Sequence, residues 1–191
     1  SAVCLTNWMN TTMSNIIELP TKDELYKIFD VDFNTGTLYW KKREDKSNEF
    51  NKKYAGKVAG CLDKHSGYVR VRVDGTSFRA HRIIYAMYHV ACSTDKQIDH
   101  INGVRDDNRI ENLRLVDNVQ NNRNTVLSKK NKTGVSGMWY NKKRNKYEVT
   151  VGGVSDRHGQ RKRFSDFFEA CCYRKSIENT LGYHPNHGRI K

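Results

Sequence analysis

The chain has 191 residues, with 34 lysines and arginines against 21 aspartates and glutamates, and a formal net charge of +13. Hydrophobic residues make up 37% and charged residues 29%, and the mean hydropathy is −0.83. That leaves room for small cores under a wet surface and excludes a long apolar membrane-spanning run. A pI near 9.6 points to a polyanionic partner, because a basic surface gains free energy by releasing counterions condensed on phosphates.

Residues 1–13 are read as an N-terminal tail or an added segment outside the fold. From Thr21, TKDELYKIF has the pattern of a short capped helix, and FNTGTLYWKK that of a turn at Thr35-Gly36 entering a strand. The charged stretch from Lys41 to Lys57 reads as a loop. In GYVRVRVDGTSFRAHR, Val69, Val71 and Val73 alternate with Arg70 and Arg72, and Asp74-Gly75 suits a two-residue hairpin turn. The valines are expected to face a core and the arginines solvent. Next, Ala80, Ile83, Ile84 and Met87 recur at helical spacing, which predicts a helix burying that stripe, with His81 and Tyr85 on another face.

The segment QIDHINGVRDDNRIENLRLVDNVQNNRN (97–124) has little apolar content but a dense set of polar groups. KQIDHI reads as a strand, Asn102-Gly103 as a turn, NLRLV as a second strand, and Asp117 as the cap of a helix DNVQNNRN. Packing that helix on the strands gathers Asp99, Asn112 and Asn121 around one point near His100. Oxygen ligands of this kind suit a hard cation such as Mg²⁺, which keeps several waters and shares substrate phosphate oxygens. A neutral His100 is left to act as a base, the one side chain with an unperturbed pKa near 7. The carboxylates Asp106, Asp107 and Glu111 in the same loop are assigned to solvent or local ion pairs.

DHINGVRDDNRIENLRLVDNVQNN resembles the HNH endonuclease motif of the ββα-metal fold, in particular phage-encoded and intron-associated homing endonucleases. The resemblance extends upstream to Thr35–Trp40, Gly67–Gly75 and Ala80–Arg82. It implies that Asp99 and Asn121 bind the metal, that His100 is the general base, and that Asn112 holds the loop and orients His100. It implies Mg²⁺ as cofactor, with Mn²⁺ able to take its place, and the cytoplasm of a phage-infected bacterium as the place of action. Arg70, Arg72, Arg82, Arg105 and Arg123 are candidate phosphate contacts, an exposed or structural role being equally open to each.

SKKNKTG (128–134) has linker composition, and the chain beyond it is the strongly basic part: residues 123–191 hold 16 lysines and arginines against 5 acidic residues, residues 1–122 hold 18 against 16. GMWYNK, KYEVTVG and QRKRFS read as strands. DFFEACCYRKSIENTLG reads as a helix with a stripe of Phe167, Ala170, Tyr173, Ile177 and Leu181, capped by Asp166 and stopped by Gly182. This part is similar to the AP-two, or ethylene-response-factor, DNA-binding domain, whose three-stranded sheet enters the major groove. That likeness puts Trp139, Tyr140, Lys142, Lys143, Arg144, Lys146, Arg161 and Arg163 on DNA. His184 and His187 lack the companions of a metal pair and are read as packing residues.

The expected fold class is α+β, with an HNH nuclease domain over 14–127 and a linker plus AP-two-like domain over 128–191. The five cysteines form no C-x-x-C pair and fit a reducing compartment without a cysteine-held zinc. The expected function is metal-dependent endonucleolytic cleavage of double-stranded DNA, by a nick or a double-strand break, leaving 5′-phosphate and 3′-hydroxyl ends. No membrane or protein partner is expected, and the protein is read as a monomer or homodimer. The alternatives are a sequence-specific DNA-binding or regulatory protein with a vestigial nuclease fold, and a nuclease for RNA or for branched or damaged DNA.

Overall fold

The computed structural model describes residues 18–89, 96–151 and 161–190. Residues 1–17, 90–95 and 152–160 and Lys191 lie outside them. The architecture is α+β, built from small antiparallel sheets and short helices.

Helix α1 (Lys22–Ile28) starts at Thr21, whose hydroxyl accepts from the Glu24 amide while the Glu24 carboxylate accepts from the Thr21 amide. This reciprocal cap satisfies two amides that would otherwise have no partner. Strands β1 (Phe29–Asp32) and β2 (Thr37–Trp40) pair antiparallel, with Gly36 at φ +67° closing the turn. The stretch expected as a loop contains a helix, α2 (Asn48–Tyr54), capped by Ser47. It buries no residue fully, so it lacks the apolar stripe by which helices are recognised in sequence. Strands β3 (Cys61–Leu62), β4 (Val69–Val73) and β5 (Thr76–Arg79) form the second sheet. Asp74 at φ +46° and Gly75 at φ +85° make the expected hairpin turn.

Helix α3 (Ala80–Tyr88) buries Ala80, Ile83, Ile84 and Met87 as its spacing predicts. It buries His81 and Tyr85, on the other face, too. The reason is that α3 is covered on more than one side: it packs on α1, β4, β5 and the hairpin that follows. That hairpin is β6 (Gln97–His100) with β7 (Leu113–Val116), joined through a 3₁₀ turn (Ile110–Asn112) and followed by helix α4 (Asn118–Asn122). One hydrophobic cluster from Leu25 to Leu113 unites these elements.

A separate cluster of Met138, Val149 and Ala170 holds the C-terminal unit. Strands β8 (Met138–Asn141), β9 (Lys146–Thr150) and β10 (Arg161–Phe164) form an antiparallel sheet in the order β10-β9-β8, backed by helix α5 (Phe167–Thr180). The stripe α5 buries differs from the expected one. Ala170, Arg174 and Glu178 are inside, Tyr173 and Ile177 are half-buried and Phe167 is exposed. The chain end explains it: His187 returns beside Arg174 and Glu178 and closes a buried polar cluster over that face. No helix among the described residues is long and apolar enough to cross a membrane.

Candidate active site

Strand alternation divides the β6–β7 hairpin between two faces. Asp99 lies opposite Arg114, and His100 opposite Leu113. Ile98, His100, Leu113 and Leu115 therefore share the core-facing side, and Gln97, Asp99 and Arg114 share the other.

His100 is only 3% exposed. Its ring packs against Tyr68 and, edge-on, against His81, with ring centroids 5.9 and 4.8 Å away. Its Nε2 lies 3.2 Å from Asn108 Oδ1. With a carboxamide oxygen as acceptor, Nε2 carries the proton and Nδ1 keeps its lone pair, the tautomer a base needs. Burial holds the His100 pKa below the ordinary imidazole value, against the Asn108 hydrogen bond and the Asp99 charge, which favour the protonated form.

The Asn112 side chain makes its hydrogen bonds to the loop and not to the ring. Its Oδ1 accepts from the Asn102 amide at 3.0 Å, and its Nδ2 donates to Asn102 Oδ1 and to the Asp107 carbonyl. It thus closes the loop between β6 and β7, while the ring-orienting contact belongs to Asn108. The loop is further locked by Asp107, whose hydrogen bonds from Arg109 and Asn102 bring its pKa down to about 2. Asn108 is supported from below by the β1–β2 turn, where a Cβ on Gly36 would come within 2.2 Å of the Asn108 carbonyl carbon.

Asp99 receives Arg114 Nη2 at 2.9 Å, Arg114 Nε at 3.1 Å and Asn124 Nδ2 at 2.8 Å, all on Oδ2. Asn121 donates instead to the Gln97 side chain. Asp99, Asn112 and Asn121 thus make separate hydrogen bonds, and the helix-side partner of Asp99 is Asn124. Asp99 Oδ1 and Asn121 Oδ1 receive none of these bonds. A carboxylate oxygen and an amide oxygen are each the kind of donor a hard divalent cation takes. No group of three or more His, Cys, Asp or Glu gathers among the described residues.

Of the other expected contacts, Arg72 and Arg82 are exposed, and Arg70 pairs with Asp63 at 3.2 Å. Arg105 stacks on Tyr68 and donates to the Ser66 carbonyl. Arg123 is turned into the chain: it donates to the Leu181 carbonyl, lies over the Tyr183 ring, and its Nε is buried. In the C-terminal sheet, Trp139, Glu148 and Arg163 face one another across the open side, along with Lys146 and Arg161. Tyr140 lies on the opposite side, against Tyr147. Lys142, Lys143 and Arg144 occupy the exposed β8–β9 turn. Glu148 is 2% exposed and ion-paired with Arg144, Arg161 and Arg163.

Asn108 and Asn124 were not legible as functional residues in the sequence. Each is one of many asparagines in a polar run, and only folding distinguishes the buried ones.

Residues 78–123 match the family model HNH_3, described as HNH endonuclease. This is the segment that carries α3, the β6–β7 hairpin and α4. No curated protein matches the chain. A solved structure described as DNA binding and cleavage by the HNH homing endonuclease I-HmuI matches at 23% identity, covering 92% of this chain and 98% of that one, with a TM-score of 0.41.

Proposed function

We propose that the protein is a metal-dependent DNA endonuclease of the HNH homing type, phage-encoded and acting in the cytoplasm of the infected host. Residues 14–127 cut, and residues 128–191 hold and select the site. The observation that carries this reading is the match of residues 78–123 to the HNH endonuclease model, over the hairpin that presents Asp99 and His100.

The chemistry follows from the site. Nδ1 of a neutral His100 takes a proton from water as the water oxygen bonds to phosphorus and the bond to the 3′ oxygen breaks. The departing oxygen is protonated from solvent, leaving 5′-phosphate and 3′-hydroxyl ends. Asn108 and Asn112 keep the ring and its loop in place. Asp99 and Asn121 would hold a Mg²⁺, or Mn²⁺ in its stead, which would supply positive charge to stabilise the anionic charge that develops in the reaction.

Double-stranded DNA is the substrate this reading requires. The open face of the C-terminal sheet and its β8–β9 turn offer Trp139, Lys142, Lys143, Arg144, Lys146, Arg161 and Arg163. A three-stranded ribbon of this size fits the major groove, as in the AP-two type. The basic excess of that unit supports the same assignment. Arg70, Arg72 and Arg82 extend the contact along the backbone.

The test is incubation of supercoiled plasmid with the protein and Mg²⁺, beside His100→Ala and a chelator control. Metal-dependent nicked or linear product, reduced by roughly 100-fold or more in His100→Ala with DNA affinity retained, is the expected result. Cleavage by His100→Ala near the parent rate would remove the general-base role. Tight binding with no product in Mg²⁺ or Mn²⁺ would make the protein a DNA-binding one.

A further inference from the structure

The last described stretch of the chain, Tyr183–Ile190, runs back onto the segment just beyond α4. His184 N donates to the Arg123 carbonyl at 3.1 Å, Gly188 N to the Thr125 carbonyl at 2.8 Å, and Leu127 N to the Arg189 carbonyl at 2.9 Å. Asn186 Nδ2 reaches the Ile101 carbonyl at 3.0 Å, in the loop that follows His100. This backbone pairing carries one long side chain inward. The Arg189 guanidinium lies against Gly103, where a Cβ would come within 1.3 Å of Nη2, so that glycine makes the space it occupies.

Arg189 Nη1 donates to Asn124 Oδ1 and to the Asn124 carbonyl, both at 3.0 Å, and to the Asn186 carbonyl at 2.8 Å. Asn124 is 4% exposed. Its Nδ2 donates to Asp99 Oδ2 at 2.8 Å and to the His100 carbonyl at 3.1 Å. The carboxamide has one workable orientation. Turned over, its oxygen would face the Asp99 carboxylate and its NH₂ group the guanidinium, and neither hydrogen bond could form.

We propose that Asn124 and Arg189 are positioning residues for Asp99, so that the C-terminal segment completes the cutting site. The inference rests on the nuclease reading, and it lies outside the stretch matched to the HNH model, which ends at residue 123. The physical argument concerns the two oxygens of one carboxylate. Asn124 and Arg114 together hold Oδ2 and so fix the turn of the carboxylate, leaving Oδ1 free of both. With Asn124 released, Arg114 alone decides how the carboxylate turns, and an arginine ion pair competes directly with a cation. Groups that orient a metal-binding side chain in this way typically contribute 10- to 100-fold in metal affinity or activity.

Mn²⁺ serves as the probe, its binding to the full chain followed by electron paramagnetic resonance. Plasmid nicking and duplex affinity are measured on the same preparations. Arg189→Ala and Asn124→Ala are expected to weaken Mn²⁺ binding by roughly 10- to 100-fold, with nicking recovered at high metal concentration and duplex affinity unchanged. All three Arg189 bonds leave from Nη1, so an ammonium with three donors can replace it, and Arg189→Lys is expected to restore most of the affinity. Should Arg189→Ala lose its thermal transition, Arg189→Gln carries the same test.

Parent-like Mn²⁺ binding in Arg189→Ala and Asn124→Ala, beside its loss in Asp99→Ala, overturns the inference and leaves the nuclease reading standing. A parent protein that neither binds Mn²⁺ nor nicks DNA overturns both. Weakened nicking with unchanged Mn²⁺ binding and a fallen duplex affinity makes Arg189 a DNA contact, and overturns the positioning role.

Discussion

Burial of His81 between Tyr68 and His100 pushes its pKa down to about 3, from an ordinary value of 6.5. Its Nδ1 has no partner among the described residues, so protonation there gains no hydrogen bond. An unfolded chain takes up this proton near pH 6.5 while the native one does not until about 3. The native state therefore loses stability as pH falls through that window and keeps it fully above. The slope is about 1.4 kcal/mol per pH unit for one group, and the lowered pKa values of His100, His184 and His187 act in the same direction. Urea unfolding of His81→Phe at pH 7 and pH 5 should show about 2 kcal/mol less acid loss than the parent; equal losses would place the proton uptake elsewhere. Asn108 carries a catalytic prediction at the same scale. Asn108→Ala should slow single-turnover nicking by roughly 10- to 100-fold, part of the contribution of general-base catalysis, and a parent rate would deny it the ring-orienting role.

The β1–β2 turn bears on the site without entering it. Its Gly36 abuts the Asn108–Arg109 peptide, and the Ile110 amide donates to the Phe33 carbonyl at 3.1 Å. Gly36→Ala adds a Cβ at a positive φ and against backbone, so it is expected to cost roughly 1–3 kcal/mol and to slow nicking through Asn108. A thermal midpoint and a nicking rate both equal to the parent's would show that the turn yields instead. Helix α5 makes a different demand. Arg174 Nε donates to Glu178 Oε1 at 2.7 Å in a buried pair, and Arg174 Nη1 to the Thr150 carbonyl. Glu178→Ala leaves a buried guanidinium without its counter-ion and should destabilise by roughly 3 kcal/mol, measured by urea denaturation; a change near zero would mean that solvent reaches the cluster.

Across the whole molecule, two units, each with its own hydrophobic cluster, are bridged by a terminal segment that contacts both units. His187 meets Arg174 and Glu178 of α5, while Asn186 and Arg189 meet Ile101 and Asn124. The two units are thereby tied to one short stretch of backbone. The charge separation remains measurable through salt. Lys142→Ala with Lys143→Ala removes two exposed charges without disturbing Glu148, and should lower the slope of log affinity against log salt by ~0.9 for each phosphate no longer neutralised. An unchanged slope would take Lys142 and Lys143 out of the phosphate contacts.

Local patterns in the sequence determined much of the framework. The Thr21–Glu24 cap, the Asp74-Gly75 turn between alternating valines, the β6–β7 hairpin with its Asp117-capped helix, and the three C-terminal strands all depend on neighbours within a few residues, so short-range chemistry specifies them. The motif from Asp99 to Asn121 likewise identified the segment that the HNH model matches. Tertiary structure alone decided which polar groups became buried partners. Asn108 rather than Asn112 meets the His100 ring, Asn124 rather than Asn121 meets Asp99, and Arg174 and Glu178 displace the apolar stripe expected of α5. Each of these outcomes depends on a segment outside the element itself: the Gly36 turn under Asn108, Arg189 beside Asn124, His187 over α5. Periodicity and propensity describe the residues next to a position, whereas burial is set by whichever other segment covers it.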